Sequence, residues 1–283
     1  MEEALERILG SGGVPSLAHP NRVAKNNWEK LAAYVEDLAG LGMRAIEVYH
    51  SDHSPENVSY YASLAERFNL GITGGSDFHG ANKPSGMERT WPNVITREGV
   101  RGHEYQITRY HRVPEPDHDV ILPFTRYLAG PGDYTPTVFT TSELMGNTWA
   151  HELAQAVVFT SPFLCFGGHP QSYIENSARD VLTAISPVWD ETLILPGSEP
   201  GKVIAEARRS GKQWFLAVIN GGETTILDIP LDFLGAGSWQ AIQLRDTKDK
   251  PDAWDRQDGK ATRNDHIQVE IAPRGGFVGW IYQ

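Results

Sequence analysis

Imidazoles and carboxylates stand where three short apolar runs of this chain end: Leu17-Ala18-His19-Pro20, Ile46-Glu47-Val48-Tyr49 and Gly74-Gly75-Ser76-Asp77-Phe78-His79-Gly80. If those runs are successive parallel strands, their C-terminal ends share the edge where α/β folds hold their sites. Side chains alternate along a strand, so Asp77 and His79 share one face. Imidazole with carboxylate suits Zn²⁺, Mn²⁺ or Fe²⁺. His19, Asp77 and His79 are therefore a candidate metal cluster; the plainer alternative is that they only hydrogen-bond loops. His50 and His53 read as exposed loop histidines. Further on, Glu98, Glu104 and Asp133 lie in polar stretches rich in Gly and Pro, and by residue type alone they read as exposed loop or turn carboxylates.

The elements that must position these groups change character along the chain. Residues 13–79 read as strand–helix–strand–helix–strand. Val14 to Ala18 is the first strand, and Trp28, Leu31, Ala32, Val35 and Leu38 recur at helical spacing. Ala45 to Tyr49 is the second strand. Ser54-Pro55-Glu56 starts the next helix with a capping hydroxyl and a proline at its first position, and Gly71 to Gly75 is the third strand. Residues 80–120 read as long loops. Ile121 to Leu128 reads as a strand plus the start of a loop and Phe163 to Phe166 as a buried strand; Glu152 to Phe159 and Ala178 to Val188 are helix candidates. From about residue 192, short alternating strands at 203–208, 213–220, 224–229, 239–244, 267–271 and 277–282 have the pattern of a β-sandwich. The predicted fold class is α/β: a partial parallel (β/α) barrel followed by a C-terminal antiparallel β-sandwich.

Composition narrows the partners. A hydrophobic content of 40% suits a globular protein with real cores, and a net charge of −11 argues against a nucleic-acid backbone as ligand. No stretch approaches the ~20 apolar residues of a membrane span. The N-terminus, Met1-Glu2-Glu3-Ala4-Leu5-Glu6-Arg7, has no apolar signal core, so the expected location is the cytoplasm. The one cysteine, Cys165, lies in the apolar run Phe163-Leu164-Cys165-Phe166 and reads as a buried core thiol.

Residues from about 10 to 80, with the three strand-end phrases, resemble the C-terminal portion of the PHP (polymerase and histidinol phosphatase) family of metal-dependent phosphoesterases. The resemblance implies that His19, Asp77 and His79 ligate Zn²⁺ or Mn²⁺. The early His-x-His motif of that family does not precede His19 here.

From Phe78 onward the chain resembles glycoside hydrolase family 97. The words that carry this are His79-Gly80-Ala81-Asn82-Lys83-Pro84, Arg89-Thr90-Trp91-Pro92-Asn93, Thr96-Arg97-Glu98-Gly99-Val100-Arg101-Gly102-His103-Glu104, Leu122-Pro123-Phe124-Thr125-Arg126, Ala129-Gly130-Pro131-Gly132-Asp133-Tyr134-Thr135-Pro136 and Val188-Trp189-Asp190-Glu191-Thr192. The resemblance implies hydrolysis of α-glucosides or α-galactosides, with Glu104 as general acid and Glu98 as a Ca²⁺ ligand. Lys83, Arg97 and Asp133 become candidate substrate contacts. Gly80 stands where inverting members carry a glutamate base, which implies the retaining branch. That branch takes its nucleophile from an earlier barrel strand with no counterpart in this sequence.

The expected organisation is a PHP-like βα fragment over 1–80, a partial glycoside hydrolase barrel over 81–192 and a β-sandwich over 193–283. Three functional readings follow: a truncated α-glycosidase acting on an α-linked oligosaccharide, a metal-dependent phosphoesterase, or a non-catalytic fusion product. The oligomeric state is not legible.

Overall fold

The computed structural model describes residues 1–24, 27–50, 52–75 and 95–283. The chain divides into two compact units, Met1–Phe78 and His79–Gln283.

In the first unit, α1 (Glu2–Gly10) precedes β1 (Ser16–Leu17). Next come α2 (Pro20–Ala24), α3 (Trp28–Gly40), β2 (Ala45–His50), α4 (Pro55–Arg67) and β3 (Gly71–Gly75). The three strands are parallel, in the order β1-β2-β3. Both long helices begin on side-chain caps. Asn27 Oδ1 accepts from Lys30 N–H at 3.0 Å and Ser54 Oγ from Asn57 N–H at 3.2 Å, each relieving one orphan amide of the first turn. Leu31, Val35 and Leu38 of α3 and Tyr61, Leu64 and Ala65 of α4 close over Ile46 and Val48. Each such aliphatic side chain contributes roughly 1.5–3 kcal/mol by leaving water. The strand expected over Val14 to Ala18 is ordered as a strand only at Ser16–Leu17.

Among its described residues, the second unit's first helices are α5 (His103–Tyr110) and α6 (Pro116–Ile121), so the stretch expected as loop up to residue 120 is partly helical. Pro116 sits at the first position of α6, where its missing N–H costs nothing. Ile121 to Leu128 is not a strand: α6 runs into two 3₁₀ turns, Leu122–Phe124 and Arg126–Ala129, with Pro123 in the first. Next come α7 (Trp149–Val158), α8 (Pro170–Ile174) and α9 (Arg179–Ala184). Phe163 to Phe166 is loop, with Phe163 exposed. The last helix stops short of Val188 because Pro187 holds Ser186 away from helical backbone, and Ile185 is already extended.

The strands that follow are β4 (Glu191–Ile194), β5 (Val203–Ser210), β6 (Gln213–Asn220), β7 (Thr225–Pro230), β8 (Trp239–Arg245), β9 (Asp255–Ala261), β10 (His266–Ile271) and β11 (Gly276–Tyr282). Six form an antiparallel sheet in the order β4-β5-β6-β11-β8-β9, and β10 pairs antiparallel with β7. Alternation then assigns the faces. Ala205, Leu216, Val218 and Phe277 pack towards Leu227, Ile229 and Val269 of the two-stranded sheet. Ile204, Phe215, Ala217, Ile219 and Val278 pack with Leu153, Val157 and Val158 of α7 and Val120 of α6. The central strands β5, β6 and β11 of the larger sheet are thus buried on both faces, and residues on either side of position 192 share one core.

Candidate active site

In the second unit, the segment 97–104 lies along the segment 130–135. Arg126 joins them. Its guanidinium donates to the carbonyls of Gly99 (2.9 Å), Gly130 (2.9 Å), Pro131 (3.0 Å), Arg97 (3.2 Å) and Glu98 (3.3 Å). Asp133 N–H donates to Arg97 O at 2.9 Å and His103 N–H to Tyr134 O at 2.9 Å. Gly102 makes the approach possible, since a Cβ there would stand 2.5 Å from Tyr134 O. Glu104, in the first turn of α5, donates its backbone N–H to Thr135 Oγ1 at 2.9 Å.

Beside this seam lies a cleft of about 350 Å³, lined by His103, Glu104, Ile107, Thr108, Thr135, Val138, Glu143, Phe166 and Gly167. Glu104 is exposed to it. Cys165 is half-buried rather than a core thiol. Burial, and then the carboxylates of Asp133 and Glu104, push its thiol pKa up, so these two acids share its neighbourhood. Four of the expected residues, Arg97, Glu98, Glu104 and Asp133, are therefore collected by one seam. Lys83 lies outside the described residues.

Strain and buried polar groups hold the seam. Thr135 (φ 53°) and Thr137 (φ 70°) are β-branched residues in the left-handed region. Such backbone costs about 1–3 kcal/mol and persists only where neighbours over-determine it. Here Thr137 Oγ1 donates to Glu152 O at 3.0 Å, and Glu152 Oε2 accepts from Val138 N–H at 3.0 Å. Fully buried Asp119 accepts from Tyr134 Oη, from Gln155 Nε2 at 3.2 Å and from His151 Nε2 at 3.2 Å. Burial alone would raise the Asp119 carboxyl; the His151 and Tyr134 bonds outweigh it and hold the pKa below the ordinary value. Tyr134 and Thr135 stand in one of the family phrases without being singled out there, and Asp119, His151, Glu152 and Phe166 belong to none of those phrases.

Glu98 is half-buried, and its carboxylate is a donor type that suits calcium. Calcium takes six to eight oxygens, yet the carbonyls around Glu98 are already committed to Arg126. Each of these carbonyl oxygens keeps a second lone pair, so the segment offers the ion a carboxylate and backbone oxygens.

The first unit brings a different group together. His19 ends β1 with φ 49°, and its backbone N–H and Nδ1 both reach Glu47 Oε2, at 2.8 and 3.1 Å. Donor atoms of His19, Glu47 and His50 lie within 4.8 Å of one another. Glu47 is buried at 8% exposure, and a carboxylate is expensive there unless paired. That charge inside Ala45-Ile46-Glu47-Val48 was the available sequence signal. His50 and His53 are not exposed as expected: both are half-buried, with Nε2 atoms sheltered from solvent. Asp77 and His79 lie outside the described residues.

Comparison with known proteins gives the following similarities. Residues 188–282 match the family described as Glycosyl-hydrolase 97 C-terminal, oligomerisation. A retaining alpha-galactosidase of Bacteroides thetaiotaomicron is 30% identical over 277 residues, covering 89% of this chain and 41% of its own. A phosphoribosyl 1,2-cyclic phosphate 1,2-diphosphodiesterase of Eggerthella lenta is 36% identical over 78 residues, 28% of each chain. Among solved structures, a glycoside hydrolase family 97 enzyme from Pseudoalteromonas sp. strain K8 in complex with acarbose superposes with a TM-score of 0.70. Its identity is 23%, and the match covers 100% of this chain and 49% of that one. The chain thus spans less than half the length of the galactosidase it matches, and the fold it shares with the solved enzyme is a barrel fragment with its β-domain.

Proposed function

We propose that this chain, which carries the C-terminal domain of glycoside hydrolase family 97, is a carbohydrate-active hydrolase of the α-glycosidase type. One observation carries the reading: Glu104 presents its carboxyl group to an open cleft, on a helix start pinned by Thr135 and the strained 134–137 turn. Cleavage of a glycoside needs a carboxylic acid beside the leaving oxygen and a second carboxylate at the anomeric carbon. Glu104 donates its proton to the departing oxygen as the anomeric C–O bond breaks; water then adds at that carbon and gives its proton back to the Glu104 carboxylate. Asp133 and the Arg97 segment, tied to each other by a backbone hydrogen bond, flank the acid, and Phe166 offers an apolar wall to a sugar face. Calcium, with Glu98 among its ligands, would supply Lewis-acid polarisation when bound. The glycine at position 80 and the retaining relative favour retention of anomeric configuration.

The test uses aryl α-galactosides and α-glucosides with leaving groups of different acidity. A 4-nitrophenyl glycoside needs the acid more than a 2,4-dinitrophenyl one. Glu104→Gln is expected to lower kcat/KM about 10²-fold or more for the former and much less for the latter. Wild-type protein that leaves every such glycoside intact, or equal losses on both leaving groups, would defeat the reading.

A second reading, phosphoester hydrolysis by the first unit with Zn²⁺ or Mn²⁺ on His19, Asp77 and His79, draws on the match to the cyclic phosphate diphosphodiesterase. It predicts metal-stimulated release of phosphate from simple phosphomonoesters or diesters. Indifference to every divalent ion would sink it.

A further inference from the structure

We infer that Tyr173 is a positioning residue of the cleft: its hydroxyl clasps the wall that carries Phe166 to the strained turn that holds Glu104, and so sets how closely Phe166 meets a sugar bound at Glu104. The inference deepens the α-glycosidase reading and rests on it for the ligand, a neutral pyranoside. The clasp itself is made of hydrogen bonds that stand without that reading.

The cleft has two sides, each a short stretch of irregular backbone. Glu104 is fixed to one side through Thr135 Oγ1, in the turn that contains the left-handed Thr135 and Thr137. Phe166 and Gly167 form the other. Neither stretch belongs to a strand, so no sheet ladder spaces the two. Among the described residues, three hydrogen bonds do so instead. Gly167 N–H donates to Pro136 O at 2.9 Å, Gly168 N–H to Tyr173 Oη at 2.5 Å, and Tyr173 Oη to Thr137 O at 2.7 Å. Two of the three pass through the one hydroxyl.

The fit around that hydroxyl is close. A Cβ on Gly168 would stand 2.5 Å from Tyr173 Oη, and one on Gly167 would stand 2.7 Å from Thr135 O. Both positions therefore need glycine for the wall to lie this near the turn. The Tyr173 ring is packed from elsewhere, with the centroids of Phe139 and Phe166 at 5.7 and 5.5 Å. Phe166 thus rests on the residue that fastens the backbone beside it. Burial pushes the Tyr173 hydroxyl up to about 12, so it stays a donor throughout the range in which a carboxylic acid works. Its acceptor belongs to Thr137, which is braced in turn by the bond from its Oγ1 to Glu152 O at 3.0 Å. The turn is the fixed side, and the wall is the side that the hydroxyl secures. Removing only the hydroxyl frees the wall while the ring keeps its packing.

The experiment compares the whole wild-type chain with Tyr173→Phe, and with Gly168→Ala, which presses on the same hydroxyl from the wall. Half-buried Cys165, next to Phe166, reads the clasp by its alkylation with iodoacetamide, which needs no turnover. Both variants should alkylate about threefold faster or more at a temperature well below the melt, because a wall that opens locally exposes its thiol. On 4-nitrophenyl and 2,4-dinitrophenyl α-galactosides both should raise KM about 5- to 10-fold and leave kcat within about twofold, since Phe166 supplies contact and not proton transfer. A general loss of folded protein lowers kcat and leaves KM alone, so the split separates positioning from stability. Far-UV circular dichroism confirms that the variants fold; if Gly168→Ala does not, Tyr173→Phe, which deletes a single oxygen, carries the test. Alkylation at the wild-type rate in Tyr173→Phe overturns the inference, and so does an unchanged KM. A wild-type chain that cleaves no glycoside defeats the α-glycosidase reading alone, and the alkylation rates then decide the clasp.

Discussion

Asp119 is the residue on which the candidate seam depends most directly. It is fully buried and ties Tyr134, next to the strained Thr135, to His151 and Gln155 of α7. Its folded pKa is depressed, so its contribution is present above the ordinary carboxylate range and is lost as pH falls through the folded value. Asp119→Asn should therefore cost about 3 kcal/mol at pH 7 and flatten the loss of thermal stability below about pH 4. Thermal melts across that range measure both effects. Cys165 reports on the acid itself. With burial first, and then Asp133 and Glu104, holding its thiol up, it should alkylate slowly at neutral pH, and Glu104→Gln should raise the rate about two- to fivefold. An unchanged rate would mean that the Glu104 carboxylate does not face Cys165. At this scale the sequence was only partly readable. Arg97, Glu98, Glu104 and Asp133 were named from contiguous motif words, but Thr135, Phe166 and Glu152 serve through backbone geometry and burial that no local pattern encodes.

At the level of elements, α7 is the hinge of the second unit's packing. Every residue from Ala150 to Val158 is buried, and β11 passes so close that a Cβ on Gly276 would stand 2.5 Å from His151 N. Gly276 also donates its N–H to Asp246 Oδ2 at 3.0 Å. Gly276→Ala must push strand and helix apart, and a loss of about 2–3 kcal/mol is expected in denaturant melts. The capped helices α3 and α4 and six sandwich strands were legible because period and caps are local signals. Two strands were not. β4 (Glu191–Ile194) and β9 (Asp255–Ala261) are mostly exposed strands at the two edges of the sheet, where half the backbone groups are unpaired and alternation is weak. The apolar runs at 121–128 and 163–166 misled in the opposite sense. Both are apolar because they pack or line a cleft, and prolines, not periodicity, decided their backbone.

On the scale of the whole molecule, each hydrophobic cluster of the described residues falls within one unit. The first unit's core draws on residues up to 70, and the second unit's two clusters begin at Val100. Calorimetry should resolve two transitions, and Gly276→Ala should lower only the larger. A single transition would contradict this. The two-faced burial of the sheet's central strands has a consequence for how such chains can be recombined. Among the described residues no hydrophobic cluster spans residue 78, whereas a joint at residue 192 would strip α6 and α7 from one face of β5, β6 and β11. The smallest cassette that could be moved intact into another protein therefore begins near residue 79, more than a hundred positions before the family boundary at residue 188.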